Sequence, residues 1–309
     1  LFRYLYVSGP DPSRAVGSTG ARLTVEDAGP IVATVRLDGV FPGTVRASLR
    51  IRMIASTDVL WAQLDLDKRA VQTKESAHLA FPWHVPDGTI RVDQGEALVE
   101  IGRDQLPGSC REFIGVHSGV DVSNARLGVS LVSLDAPLVE LGALSGERLT
   151  DSGTRSWRTT VAPDPTLYAY LFNNHWHTSL EADQSGPLSF RFAVRPHGAF
   201  DPVELWRLGA EQDQPLIPYI SDASVPPVRP PFTIQGASVV VASLRQDREA
   251  LVARLYNPSN SQAVVRLQPG PLTLALLSQD REGAFTVPIV EPLTLPAFGT
   301  RIIQVHRQE

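Results

Sequence analysis

The stretch FNNHWHTSLEADQSGPLSFRFAVRPHG, Phe172 to Gly198, gathers two asparagines, two histidines and a tryptophan just ahead of a strand-like run. His175 and His177 stand two apart, so on a strand both face one way, the arrangement of a zinc-ligating pair. A third ligand has to come from elsewhere, and histidines at this spacing more often hydrogen-bond or pack. Trp176 faces the other way, either as a core aromatic or as a flat platform for a sugar ring. Asn173 and Asn174, with Asp183 and Gln184 close behind, supply both donors and acceptors, which suits a polyhydroxylated ligand. The same groups also cap turns and loops.

Other chemistry is weaker. Cys110, in DQLPGSCREF, follows a Pro-Gly turn, but a thiolate nucleophile needs a base and an electropositive setting, and the histidines, such as His117, are distant in sequence. It reads as a small buried side chain. Acid-base work by paired carboxylates has three sources: Asp65 with Asp67, Asp121 with Asp135, and Glu26 with Asp27. A retaining glycosidase needs its carboxyl groups about 5 Å apart and an inverting one about 6.5–9.5 Å, a separation that sequence does not supply. Each pair reads first as a solvated face. No G-x-S-x-G, P-loop, G-x-G-x-x-G or H-E-x-x-H pattern occurs, which removes the most readily recognised enzyme classes.

The elements that must position these groups are strands. In ASLRIRMIA, Leu49, Ile51 and Met53 fall on one face and Ser48, Arg50 and Arg52 on the other. In SFRFAVR, Phe190, Phe192 and Val194 form the packing face, while Arg191 and Arg195 are left to solvent or to carboxylates. Further strands are expected at IVATVRL, VLWAQLDL, GTIRV, LGVSLVSL, TLYAYLF, SVVVASL, ALVARLY, AVVRL, LTLALLS and TRIIQV, separated by turn signals such as Pro86-Asp87-Gly88. No long helix is expected. The 25 prolines exceed the usual share of about 5% and suit a loop-rich β protein. They concentrate between Gly209 and Thr233, which reads as a stiff, extended connector. The expected organisation is a large β-sandwich over residues 1–208, a Pro-rich linker over 209–232 and a small β-sandwich of immunoglobulin-like size over 233–309.

A chain of 309 residues, 43% hydrophobic and 20% charged, can bury a substantial core. Its net charge of −5 and the lack of a basic cluster argue against nucleic acid as a partner. Lys68 and Lys74 are the only lysines. One cysteine excludes an internal disulfide framework and a multi-cysteine metal site, which favours the cytoplasm. The opening LFRYLYVSGPDPSR has neither a long apolar core nor a cleavage pattern, so no membrane span is expected there, and it reads as the start of a downstream piece of something longer. Asn257-Pro258-Ser259 has the outline of a glycosylation acceptor, blocked by its proline.

Three blocks carry a more specific signal. KESAHLAFPWHVPDGTIRVDQ (Lys74 to Gln94), DQLPGSCREFIGVHSGVDVSNARLGVSLVSLDAPLVELG (Asp104 to Gly142) and the stretch from Phe172 to Gly198 resemble successive segments of the C-terminal β-domains of glycoside hydrolase family 38, the α-mannosidases. The resemblance covers most of Ala55 to Gly198. It extends, with less distinctive residues, to the tail in SVVVASLRQDREALVARLYNPSN and EPLTLPAFGTRIIQV. It implies an all-β fold, a large galactose-mutarotase-like sandwich followed by a small immunoglobulin-like one. It also implies a zinc-dependent retaining α-mannosidase whose aspartate nucleophile and metal ligands, including a His-x-Asp motif, belong to an N-terminal catalytic barrel. None of the seven histidines here is followed two residues later by aspartate, so this chain is expected to hold neither the zinc nor the nucleophile.

What the resemblance leaves to the chain is a place against that barrel and loops that shape the cleft for an α-mannoside. Asn173, Asn174, His175 and His177 are the first substrate-binding candidates. Trp83, His84, Asp121, Ser123 and Asn124 are weaker ones, for which packing or turn hydrogen bonding is the plainer reading. A free-standing carbohydrate-binding module is the alternative, and a complete small enzyme built on Cys110 or a carboxylate pair is a third.

Overall fold

The computed structural model describes residues 2–145, 157–161, 164–175, 184–218, 220, 230–236, 238–271, 273–279, 283–289 and 291–307. Strands are numbered here in chain order. The chain divides into two compact units, residues 1–95 with 99–200 and residues 96–98 with 201–309.

The first unit is a sandwich of two antiparallel sheets. One is six-stranded, in the order β10 (Phe113–Gly115), β13 (Leu138–Leu141), β14 (Thr166–Asn173), β7 (Glu75–Pro82), β1 (Arg3–Ser8) and β2 (Val16–Gly17). The other is nine-stranded, in the order β3 (Thr19–Ala28), β4 (Val32–Val40), β5 (Thr44–Ile54), β6 (Leu60–Lys68), β15 (Gly186–His197), β12 (Gly128–Ser133), β11 (Gly119–Ser123), β8 (Thr89–Asp93) and β9 (Leu98–Glu100). Alternation decides which side chains meet between them. Ala77, Leu79 and Phe81 of β7 share one core with Ala62, Leu64 and Leu66 of β6 and with Phe190, Phe192 and Val194 of β15. Phe81 is its aromatic hub, with ring centroids 5.4 Å from Phe192 and 5.8 Å from Trp83. Burying such side chains contributes about 1.5–3 kcal/mol each.

The opposite faces follow the same rule. Arg191 reaches Asp135 with two nitrogens at 2.9 Å, and Arg195 holds Asp58 at 3.0 Å, so the polar side of β15 is charge-paired. Tight turns are built where the sequence signals them. Gly43, in Phe41-Pro42-Gly43, has φ +80°, and a Cβ there would collide with the Tyr6 ring.

The second unit pairs a three-stranded sheet, β16 (Phe232–Gln235), β19 (Ala263–Pro269) and β22 (Leu293–Leu295), with a five-stranded one, β17 (Val240–Asp247), β18 (Ala250–Tyr256), β23 (Thr300–Arg307), β20 (Thr273–Gln279) and β21 (Phe285–Pro288). Ala253, Leu255, Ile303 and Val305 of the larger sheet pack with Val265, Leu267, Leu293 and Leu295 of the smaller. Asn257 closes this sandwich at the end of β18. Fully buried, it donates to the carbonyls of Ser261 and Pro296 and accepts from the Ser259 amide and hydroxyl.

The fold is therefore the expected all-β class, a large sandwich followed by a small one. The helical element departs from expectation. Pro202–Asp213 is a helix, α1, which runs into the stretch expected to be extended from Gly209. Its start is specified locally: Asp201 caps the Val203 amide at 2.8 Å, Pro202 occupies the first turn and Glu204 follows. Leu205, Leu208 and Gly209 make its buried stripe.

Candidate functional site

The end of β14 is where the sequence concentrated its polar groups. β14 pairs with β7 in a register that slips between Tyr170 and Phe172. This bulge sets Phe172 opposite Ala77, in the core, and Asn173 opposite Ser76. The strand stops at Asn173, so His175 lies beyond it, and the same-face argument for a His175–His177 pair loses its basis. His177 and Trp176 lie outside the described residues. His175 is buried, 1% exposed, and its amide donates to the Asn173 side chain at 3.2 Å.

Asn174 is 8% exposed and holds the neighbouring loop. Its carboxamide nitrogen donates to the carbonyls of Val71 and Thr73, both at 2.7 Å, and its oxygen accepts from the Glu75 amide at 2.6 Å. Both amide hydrogens are thus committed to main-chain oxygens, and Asn174 has no donor left for a sugar hydroxyl. Beneath it, Glu75 forms a buried ion pair with Lys68 and accepts from the Tyr6 hydroxyl at 2.6 Å, while the Lys68 ammonium sits 5.1 Å from the centroid of Phe172.

A second cluster lies on the face of the six-stranded sheet turned away from the core. Ser76 Oγ is 3.1 Å from His78 Nε2, and His78 Nδ1 is 3.1 Å from Glu140 Oε2. The order hydroxyl, imidazole, carboxylate is that of an activated serine nucleophile. All three residues are at most 1% exposed, however, so no carbonyl substrate reaches the serine oxygen. Tyr170 packs edge-on against His78 at 4.6 Å. Burial pushes the Glu140 carboxyl above its ordinary value, although His78, the Ser145 amide and Arg158 act in the opposite sense. Sequence reasoning missed this group. Ser76 and His78 at two-residue spacing in ESAH carried a signal, but Glu140 arrives from β13, across β14.

A third cluster surrounds Asp121 on β11. Its carboxylate is fully buried and accepts from the hydroxyls of Ser123 and, at 2.9 Å, Ser130, with His197 Nε2 at 2.6 Å and Arg91 Nη1 at 3.9 Å. His197 Nδ1 lies 3.0 Å from the Gly198 carbonyl, so both ring nitrogens are engaged and neither serves as a base. Asn124 closes the adjoining turn, accepting from the amides of Arg126 and Leu127 and donating to the Pro86 carbonyl. His84 is exposed beside the buried Trp83.

Several of the other carboxylates proposed for acid-base work are paired with arginines. Glu26 pairs with Arg36 and Arg50, Asp65 with Arg50, and Asp135 with Arg191. Hydrogen bonding from Arg191 holds the Asp135 carboxyl below the usual range. A general acid needs a raised carboxyl that a substrate can touch. Glu140, whose carboxyl is raised, is sealed, and Asp58, Asp104 and Asp135, which lie nearer solvent, are lowered. Zinc, which the resemblance attaches to the family, does not fit these residues either. Among them no three of His, Cys, Asp and Glu come together, and the Arg91 guanidinium beside the Asp121–His197 pair opposes a cation. Nor, among the described residues, is any helix long and apolar enough to cross a membrane.

Neither protein-family models nor curated proteins match the sequence. Solved structures do match the fold. The chain resembles an alpha-mannosidase from Enterococcus faecalis V583 with a TM-score of 0.71 at 14% identity, over 98% of this chain and 38% of that one. It resembles a glycosyl hydrolase family 38 protein from Enterococcus faecalis with a TM-score of 0.68, also at 14% identity, over 98% of this chain and 40% of that one. This protein thus spans about two-fifths of the structures it matches. It has, over nearly its whole length, the fold of part of a glycoside hydrolase family 38 α-mannosidase.

Proposed function

We propose that the chain is the C-terminal portion of an α-mannosidase-like retaining glycoside hydrolase, which packs on a catalytic barrel and shapes its sugar-binding cleft. The observation that carries this reading is the match of both sandwiches, 98% of the chain, to part of an alpha-mannosidase at a TM-score of 0.71.

Within this reading the end of β14 is the face offered to substrate. Asn173, half-buried at the strand end, and His177 contact sugar hydroxyls, while His175, buried, and Asn174, committed to the main chain, fix the strand end that presents them. His84 and Asn124, at turns, contribute more distantly, and Asp121 acts from behind through His197. Fixing a loop on a rigid sheet is how β-scaffolds commonly carry function.

The test is hydrolysis of an aryl α-mannoside by this chain and by a form extended upstream to include a barrel, each with and without added zinc. Turnover by the extended form alone supports the assignment. Turnover by this chain alone refutes it, and tight binding of mannose without turnover by any form favours a carbohydrate-binding module instead.

A further inference from the structure

The nine-stranded sheet ends at β3, and every residue of Thr19–Ala28 is exposed. An edge strand presents unpaired amides and carbonyls, and proteins usually shorten, charge or cover it. β3 is bulged at both ends, between Thr19 and Arg22 and between Val25 and Asp27, which leaves Arg22 to Val25 in regular register with β4.

Along that regular segment Leu23 and Val25 lie opposite Leu37 and Val35 of β4, which in turn lie opposite Leu49 and Ile51 of β5. This is the face that forms the sandwich core at Leu49, yet Leu23 is 60% and Val25 56% exposed. The apolar face of the larger sheet therefore continues past its cover. Arg22 and Thr24 alternate to the other face, where the Glu26 carboxylate also lies, bonded to Arg36 and Arg50.

The segment reads Arg22-Leu23-Thr24-Val25-Glu26: basic, apolar, hydroxyl, apolar, acidic. In chemical class it is complementary to its own reverse. We propose that β3 pairs antiparallel with β3 of a second copy of this chain, about a two-fold axis at Thr24, so that two nine-stranded sheets join into one. Arg22 then faces Glu26 of the second copy, Leu23 faces Val25 of the second copy, and the two Thr24 residues meet. Opposite charges and apolar pairs directly across a ladder are the stabilising cross-strand combinations. A two-fold interface must be self-complementary, and this segment is. Charge complementarity thus selects a second copy over an unrelated apolar partner. The inference is independent of the mannosidase reading.

Analytical ultracentrifugation of the 309-residue chain tests it. A reversible dimer is expected. Leu23→Lys with Val25→Lys, on exposed positions, should weaken association at least tenfold while leaving the melting temperature in place. Arg22→Glu alone and Glu26→Arg alone should each be monomeric by like-charge apposition, and mixing the two variants should restore a dimer, since each then meets its opposite. A monomer at every concentration overturns the proposal. So does a dimer indifferent to the lysine substitutions, or a failure of the mixed charge variants to associate.

Discussion

Replacing Asn174 by alanine separates a structural carboxamide from a substrate-facing one. The side chain makes three short hydrogen bonds to main-chain groups of Val71, Thr73 and Glu75. Val71 is half-buried and Thr73 exposed, so their carbonyls can be rehydrated, and each lost bond costs only about 0.5 kcal/mol. The Glu75 amide belongs to a fully buried residue, and leaving it unsatisfied costs about 1–3 kcal/mol. The expected loss is therefore about 2–4 kcal/mol, a large share of the roughly 5–15 kcal/mol that keeps a domain folded. Urea unfolding should show a lower midpoint at unchanged slope, and hydrogen exchange should accelerate at Glu75 before the rest of β7. Asn174→Asp keeps the acceptor but turns a second oxygen toward two carbonyl oxygens, so it should be no better than alanine at neutral pH. If Asn174→Ala unfolds within about 0.5 kcal/mol of the parent with unchanged exchange, the clamp is not what the side chain does. If it also abolishes mannoside turnover in the extended enzyme, the carboxamide reaches the sugar.

Three further outcomes follow from charge and burial. Glu140 has a raised carboxyl, so the fold favours its protonated form; stability falls as pH rises from the ordinary carboxylate range through the raised value, and Glu140→Gln should flatten that slope in melting temperature against pH. Asp135 behaves oppositely: its lowered carboxyl contributes stability above the ordinary range that is lost in acid, so Asp135→Asn should cost less than about 1 kcal/mol at neutral pH, given the exposure of the Arg191 pair, and nothing in strong acid. Tyr4 and Tyr170 are pushed up by burial, and Tyr6 by burial and its bond to Glu75, so in ultraviolet titration they should ionise only as the first sandwich unfolds in alkali; phenolate absorbance from them ahead of the loss of circular dichroism contradicts that placement.

Strands were legible because half-buried sheets write a two-residue period into the sequence. β15 is the clear case: its Phe192 and Val194 are in the core and its arginines are paired outside, as the alternation of SFRFAVR requires. β14 shows where that logic fails. A one-residue bulge, which no composition signal marks, changed the face of the strand residues after Tyr170, and the strand stops at Asn173, before the histidines. The helix at Pro202–Asp213 had its start written in Asp201-Pro202, yet the prolines that follow from Pro215 outweighed it. The clusters at Glu140 and Asp121 were illegible for a different reason. Their partners come from strands far apart in sequence, and only sheet order brings His78 to Glu140 or His197 to Asp121.

The buried pair of Lys68 and Glu75 also gives the chain an unusual chemical surface. With two lysines in all, and one of them locked beneath Phe172, Lys74 is the side-chain amine that an acylating reagent meets. Its own carbonyl is fixed by the Gly9 amide at 2.7 Å, and Glu75 follows it directly. Among the side chains of these 309 residues, a fluorophore or cross-linker aimed at lysine would therefore attach beside the loop that Asn174 holds, on the end of the sheet where the sugar is proposed to bind.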